Sequence, residues 1–304
     1  MPENLVLLTL DSCRYDVFQD ADMPFCRSLG TAQKAQAPAN FTYASHMAFF
    51  EGILPLSTEP IAFYNRYIKQ LYAIQNVGET NVVKSSRIRT SSEISLFDGL
   101  RADGYRIIGC GAMNWFKQAS LIQGFDDFKF TGTAADEQVD FILGGLSDLP
   151  GPFFAFINFG ETHYPYDYEG KPGRRPVAVL ARQIKWPPVE SGPVGRDHPA
   201  YAHQVEAARF LDSRLARLIT GLPPNTLVVI CADHGECFGE DGYLGHGFNH
   251  PKVLEVPLLI CRVDEAGRLS ELDEIGPPVA TKQRRQEARA AKAAKAAFKR
   301  SSRT

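Results

Sequence analysis

The sequence predicts an α/β protein built on a mainly parallel central sheet with helices on both faces. Five segments, "NLVLLTLD", "YRIIGCG", "FFAFINF", "TLVVICAD" and "VPLLICR", are nearly continuous apolar runs rich in β-branched or aromatic residues, the pattern of strands covered on both sides. Helix-period stretches lie between several of them, and strands alternating with helices favour a parallel sheet.

Taken in order, the first run leaves its strand at Asp11. "FTYASHMAFFEGILP", Phe41 to Pro55, reads as a short helix ended by Gly52, with Thr42, Ser45 and His46 at its mouth. A helix from about Ser91 to Arg101 is suggested by the capping-box spacing of Thr90 and Glu93, with Gly104 closing the pattern. A longer one covers roughly Ala202 to Thr220, where Val205, Ala208, Leu211, Leu215 and Leu218 share one stripe. "FINFGETHYPYDY" leaves its strand at Glu161 and His163; "VVICADHGECFGEDGYLGHGFNH" leaves at Asp233 and His234, with His246 following. In open α/β sheets ligands bind at the carboxyl ends of the strands, and there the polar residues collect.

The bulk numbers set limits. At 304 residues, 44% hydrophobic and 22% charged, the chain reads as a soluble globular protein. No apolar run is long enough to span a bilayer and "MPENLVLLTLD" has no charged leader, so the expectation is a cytoplasmic protein without a transmembrane segment. Six cysteines, four of them in or beside strand-like runs and none at CxxC spacing, suggest buried thiols rather than disulfides or structural zinc. From Pro165 to Pro199 the chain is dense in Pro and Gly without a period, the mark of a substrate loop or lid. Residues 1–275 form the expected catalytic domain. The stretch 276–304 is an Ala/Lys/Arg tail, disordered or helical, with nine Lys/Arg from 281 onward against the single Glu287. An acidic partner is the alternative use of such a tail; the whole-chain charge of −2 gives no reason to expect nucleic acid.

Asp11, Asp233 and His234 are hard-oxygen and imidazole donors suited to a divalent cation. Each has a plain reading: an aspartate after a strand is commonly a turn former, and a lone histidine is commonly satisfied where it sits. The combination of adjacent Asp and His at a strand exit with a second His in "GHG" favours the metal.

With these residues in place, the chain resembles the sulfatase-like branch of the alkaline phosphatase superfamily. "NLVLLTLDSCRYD" is similar to its first metal-binding strand, "LFDGLRADGYRII" to its "LxxAGYxT" helix and strand, "HYPY" to its "HxPF", and "LDSRLARLITGLPPNTLVVICADHGE" to its helix, strand and "SDHGE". The resemblance runs from about residue 4 to 262 in the right order, and includes short bacterial sulfatase-like hydrolases. It implies the alkaline phosphatase/sulfatase-like fold, here lacking the small C-terminal domain. In sulfatases the nucleophile lies in "CxPSRxxLLTGxxP"; laid on "TYASHMAFFEGILP", that motif puts Thr42 at the cysteine, Ser45 at the serine and His46 at the arginine. The chain therefore resembles the members that use threonine, chiefly phosphoesterases and phosphotransferases.

Independently of that likeness, a hydroxyl becomes a competent nucleophile when a cation lowers its pKa, and a helix N-terminus beside it favours a phosphate. The plain alternative for Thr42 is an N-cap, and for Ser45 helix packing. His46, His163 and His246 would surround the phosphate; imidazole can hold a phosphoryl oxygen or protonate the leaving group. The general acid falls first to His246, then His163, then His46, with Asn249 and His250 as alternates. Two departures count against sulfatase activity and calcium: "GKWH" has become "GAMN", Gly111 to Asn114, and the second calcium-type aspartate is Ser12. The ligand set Asp11, Thr42, Asp233 and His234 then implies one divalent ion, zinc or manganese rather than calcium. The expected function is metal-dependent hydrolysis or transfer of phosphate esters, small or peptide-linked, through Thr42. The alternatives are a sulfuric ester hydrolase and a non-catalytic binding module of the same fold.

Overall fold

The first apolar run becomes β1 (Asn4–Leu10), followed by α1 (Tyr15–Asp20), α2 (Pro24–Leu29), β2 (Gln33–Gln36) and α3 (Thr42–Glu51). A hairpin, β3 (Tyr72–Val77) with β4 (Thr80–Ser86), precedes α4 (Leu96–Ala102), β5 (Arg106–Gly111), α5 (Ala119–Ile122), β6 (Asp127–Phe130), α6 (Ala135–Leu146) and β7 (Phe153–Phe159). Then come α7 (Pro199–Thr220), β8 (Thr226–Cys231), β9 (Cys237–Phe238), β10 (Leu244–Gly245), α8 (Pro251–Leu254), β11 (Glu255–Val263) and β12 (Leu269–Glu271). The computed structural model describes residues 3–52, 72–77, 80–86, 95–147, 149, 151–168 and 192–271, with backbone alone for 72–77 and 80–86. Most of the predicted lid, the capping pair Thr90 and Glu93, and the basic tail lie outside them.

The strand order is β12-β11-β8-β1-β7-β5-β6, with β2 also on β11. The central pairs β8-β1, β1-β7, β7-β5 and β5-β6 are all parallel. Parallel pairing in near-level register brings the strand exits together: Leu10 lies opposite Phe159, Thr9 opposite Cys231, and Gly111 opposite Asn158.

Both faces are covered, as the continuous apolar runs require. In β7 all seven residues are buried. Phe153, Ala155, Ile157 and Phe159 face one core with residues of α1, α2, α6 and α7, while Phe154 and Phe156 face a second with α3, α4 and α5. Alternate side chains of one strand thus feed two cores, the period-2 geometry of a sheet sandwiched by helices.

Three expectations are refined. "VPLLICR" is a strand, but β11 runs antiparallel to β8 and to its edge partners β2 and β12; an apolar run carries no sign of its direction. Of the predicted Ser91–Arg101 helix, α4 covers Leu96 onward, with extended Ser95 capping the Asp98 amide, and residues 91–94 lie outside the described residues. The long helix begins three residues earlier than read, with Pro199 in its first turn and His198 accepting from the Ala200 amide. The five-run reading also missed β2 ("QKAQ") and β6 ("DFKF"), short strands whose polar residues break any apolar run.

Candidate metal centre

Three separate strand and helix ends meet at the carboxyl edge of the sheet. Asp11 follows β1, Asp233 and His234 follow β8, and Thr42 opens α3; all four are fully or almost fully buried. One ligand atom each from Asp11, Asp233 and His234 lies within 4.8 Å of the others. Thr42 Oγ1 is 3.4 Å from Asp11 Oδ2 and 3.3 Å from His234 Nε2. The N-cap of α3 is Phe41, in extended conformation. Thr42 is therefore the first helical residue, and its hydroxyl points at the acidic cluster rather than capping its own helix.

Local backbone chemistry aims each group. Ser12 holds a positive φ of 61°, uncommon outside glycine, and this turns its amide onto Asp233 Oδ1 at 3.1 Å while its hydroxyl reaches Asp11 Oδ1 at 3.3 Å. Gln204, buried on α7, donates to the carbonyls of both Ser12 and Thr162 and so ties two strand exits together. His234 Nδ1 donates to the Gly235 carbonyl at 2.9 Å, which leaves the Nε2 lone pair for the centre. A Cβ at Gly235 would collide with the Lys252 carbonyl. Gly235→Ala is expected to cost about 1–3 kcal/mol by overpacking and to weaken cation binding, read from denaturant midpoints and chelator competition; an unchanged midpoint would show that α8 yields freely.

The electrostatics fit a cation. Burial alone would raise the Asp11 carboxyl, but His163, His234 and the Asn158 amide override it and hold the group below its ordinary range. Asp233 is pushed well up by burial and then by the charge of Asp11: two buried carboxylates this close cannot both ionise without positive charge between them. His234 is driven far down by burial and by neighbouring His246, which keeps it a neutral donor. Asp233 Oδ2 is buried without a hydrogen-bond partner, with imidazole nitrogens close by, His234 Nε2 at 3.5 Å and His46 Nδ1 at 3.8 Å. An orphaned carboxylate oxygen, an imidazole lone pair, a second carboxylate and a hydroxyl form a donor set that fits one divalent ion.

The other predicted residues separate by position. His246 stacks its ring 4.3 Å from that of His234 and 5.2 Å from that of His163. It sits between Gly245 and Gly247, whose φ values of 86° and 94° explain the flanking glycines of "GHG". Its Nδ1 lies 3.4 Å from Glu236 Oε1; burial would lower the imidazole, but the Glu236 carboxylate raises it above its ordinary value. His163 Nδ1 donates to the Tyr164 carbonyl at 2.6 Å, so Nε2 is its free atom. His46 is fully buried and burial lowers it to about 4. Ser45 donates to the Asp233 carbonyl at 2.7 Å, a packing role. Of the alternates, His250 caps α8 through the Lys252 amide and Asn249 accepts from Asn40.

Sequence reasoning missed Asn158, Gln204, Glu236 and Arg14. Each is buried and polar; Arg14, Asn158 and Glu236 stand inside the segments "LDSCRYD", "FINF" and "ADHGE" without being assigned a role there, and Gln204 lies in no motif. Glu161, noted only as a strand-exit residue, accepts from the Ala135 amide at 2.8 Å at the start of α6. Burial raises its pKa from 4.5 to about 7. A carboxyl raised on folding contributes stability below its unfolded pKa that is lost as pH climbs through the folded one. Stability is thus expected to fall by about 3 kcal/mol between pH 4.5 and 7 from this group. Glu161→Gln should remove that slope in denaturant titrations at pH 5 and 8; an identical slope would contradict the assignment.

The fold and this centre define an α/β protein with a candidate cation site at the carboxyl edge of its sheet. The chain belongs to the sulfatase family, whose family model matches residues 59–268. That span includes His163, Asp233, His234 and His246, while Asp11 and Thr42 join them through the fold. The chain is 31% identical over 129 residues to the low-salt glycan biosynthesis sulfotransferase Agl7 of Haloferax volcanii, covering 37% of this chain and 27% of that protein. It thus spans about a quarter of the length of the curated relative it matches. Among solved structures it is similar to the C-terminal periplasmic domain of EptC from Escherichia coli in complex with zinc, with TM-score 0.54 and 15% identity over 85% of this chain and 72% of that one. It is likewise similar to the phosphonate monoester hydrolase of Agrobacterium radiobacter, with TM-score 0.54 and 14% identity over 85% and 68%. At these identities the likeness is one of fold. Among the described residues no helix is long and apolar enough to cross a membrane.

Proposed function

We propose that this protein cleaves or transfers phosphate esters, with Thr42 as nucleophile beside one divalent cation held by Asp11, Asp233 and His234. The observation that carries the reading is the placement of Thr42 Oγ1, 3.4 Å from Asp11 Oδ2 and 3.3 Å from His234 Nε2, at the first residue of a helix. When bound, a zinc or manganese ion supplies Lewis acidity that lowers the hydroxyl pKa and offsets charge developing on the phosphoryl oxygens. The chain does the rest. Asp11 Oδ2 and His234 Nε2 face the Thr42 hydroxyl and orient it. The N-terminus of α3 offers a phosphoryl oxygen a positive dipole end. His246, with Nδ1 engaged by Glu236, has Nε2 left to protonate the leaving oxygen, and His163 stands beside it as a second phosphoryl contact. The Thr42 hydroxyl gives its proton up to solvent as its oxygen bonds phosphorus, the ester oxygen departs with the proton from His246, and water or a second acceptor then takes the phosphoryl group and returns a proton to Thr42.

The match to a sulfotransferase favours one second reading, in which the same residues act on sulfuric esters. Turnover of aryl phosphate mono- and diesters beside aryl sulfates, before and after chelation, separates the possibilities. Phosphate ester cleavage that is lost to a chelator and restored by zinc or manganese is expected. Preference for the sulfate would transfer the assignment to the second reading. No turnover, with no stoichiometric metal after supplementation, would leave a binding module.

A further inference from the structure

Beneath the candidate ligands lies a set of buried polar side chains to which the reaction gives no part. Asn158 is the one amide in β7, fully buried. Its Nδ2 contacts Asp11 Oδ2 at 3.1 Å and Thr9 Oγ1 at 3.2 Å. Thr9 Oγ1 lies 3.2 Å from His46 Nε2, and His46 Nδ1 lies 2.7 Å from the Thr42 carbonyl.

The hydrogens follow by elimination. A carbonyl only accepts, so the imidazole proton sits on Nδ1 and is donated to Thr42. His46 Nε2 is then a lone pair, and the Thr9 hydroxyl, which also has the Ile157 carbonyl at 3.4 Å, gives its single proton to the nearer Nε2 at 3.2 Å. The Thr9 oxygen accepts from Asn158, which spends its other N–H on Asp11. Every donor in the chain is used once. The links run from Asp11, at the end of β1, to the backbone of Thr42, at the start of α3.

We infer that Asn158, Thr9 and His46 form a positioning relay that fixes Asp11 and Thr42 relative to each other, so that cation affinity depends on residues outside the ligand set. The inference rests on the reading of Asp11, Thr42, Asp233 and His234 as a cation site. The surroundings make the relay consequential: the His46 ring is walled by Phe49, Phe50, Phe116 and Phe156, with ring centroids between 4.9 and 6.0 Å away. Among apolar walls, a lost hydrogen bond is not made good by water, and the abandoned partner bears the full desolvation cost. His46, which the family likeness aligns with the arginine of the nucleophile motif, is on this account a positioning residue.

The test is cation affinity of the full chain, measured with zinc and with manganese by competition against a chromophoric chelator. Asn158→Ala is expected to weaken binding about 10–100-fold, the usual cost of removing an outer-shell partner. Thr9→Val keeps the shape and removes the hydroxyl; it is expected to weaken binding about tenfold although Thr9 bonds none of the four ligands, while Thr9→Ser stays within about twofold of wild type. Denaturant midpoints in chelator confirm that the near-isosteric threonine variants fold. Wild-type affinity in Thr9→Val overturns the relay and leaves the cation site standing. A wild-type protein that binds neither ion overturns both.

Discussion

Replacing Thr42 by alanine is expected to lower kcat on an aryl phosphate ester about 10³-fold or more, the scale on which enzymes lose a nucleophile. The fold should survive. Thr42 occupies the first helical position rather than the cap, its hydroxyl partners are Asp11 and His234, and alanine is a better helix former than threonine. A capping threonine would show the opposite signature, a stability loss of about 1 kcal/mol with turnover intact. Measuring kcat and KM beside the denaturant midpoint distinguishes the two, and a fully active alanine variant would remove Thr42 from the chemistry.

The second large effect concerns stability. Arg14 follows the β1 exit with its side chain 2% exposed. It forks onto both oxygens of Asp16 at 2.8 and 2.6 Å and reaches Glu240 Oε1 at 2.6 Å and the Glu236 carbonyl at 3.2 Å. Its guanidinium also lies 5.4 Å from the Tyr201 ring centroid and 4.9 Å from that of Phe238. The residue clamps the segment that bears Asp233, His234, Glu236 and His246 to the strand that bears Asp11. Arg14→Ala removes the Glu240 ion pair and leaves Asp16 with Lys252, 2.9 Å away, as its remaining charged contact. The expected loss is about 3 kcal/mol, toward the low end for a broken buried pair because Asp16 and Glu240 keep about a fifth of their side chains exposed. Arg14→Lys should recover only part, since an ammonium cannot fork. A midpoint within error of wild type for Arg14→Ala would show that the clamp is dispensable.

Much of this architecture was legible in the residues. β1, β5, β7 and β8 announce themselves because strands buried on both faces must be apolar throughout, and Asp11, Asp233 and His234 stand out where those runs stop. Thr42 was legible as a hydroxyl at a helix mouth. The direction of β11 was not, because direction leaves no trace in an apolar run; β2 and β6 were not, because short edge strands need little burial. The supporting residues were hardest to read. Arg14 and Glu236 look like ordinary surface charges until the fold buries them. Asn158 and Thr9 did leave a signal, a polar side chain inside an otherwise apolar strand, whose meaning depends on which residue lies across the sheet. Register supplies that: Thr9 is paired directly with Asn158.

The account depends on a cation joining Asp11, Asp233, His234 and Thr42. Anomalous diffraction from crystals grown with zinc or manganese tests this most directly. The predicted result is a single strong peak within coordination distance of His234 Nε2, of one carboxylate oxygen from each aspartate and of Thr42 Oγ1. A peak elsewhere in the molecule, or one at this cluster with the Thr42 hydroxyl turned away, would contradict it.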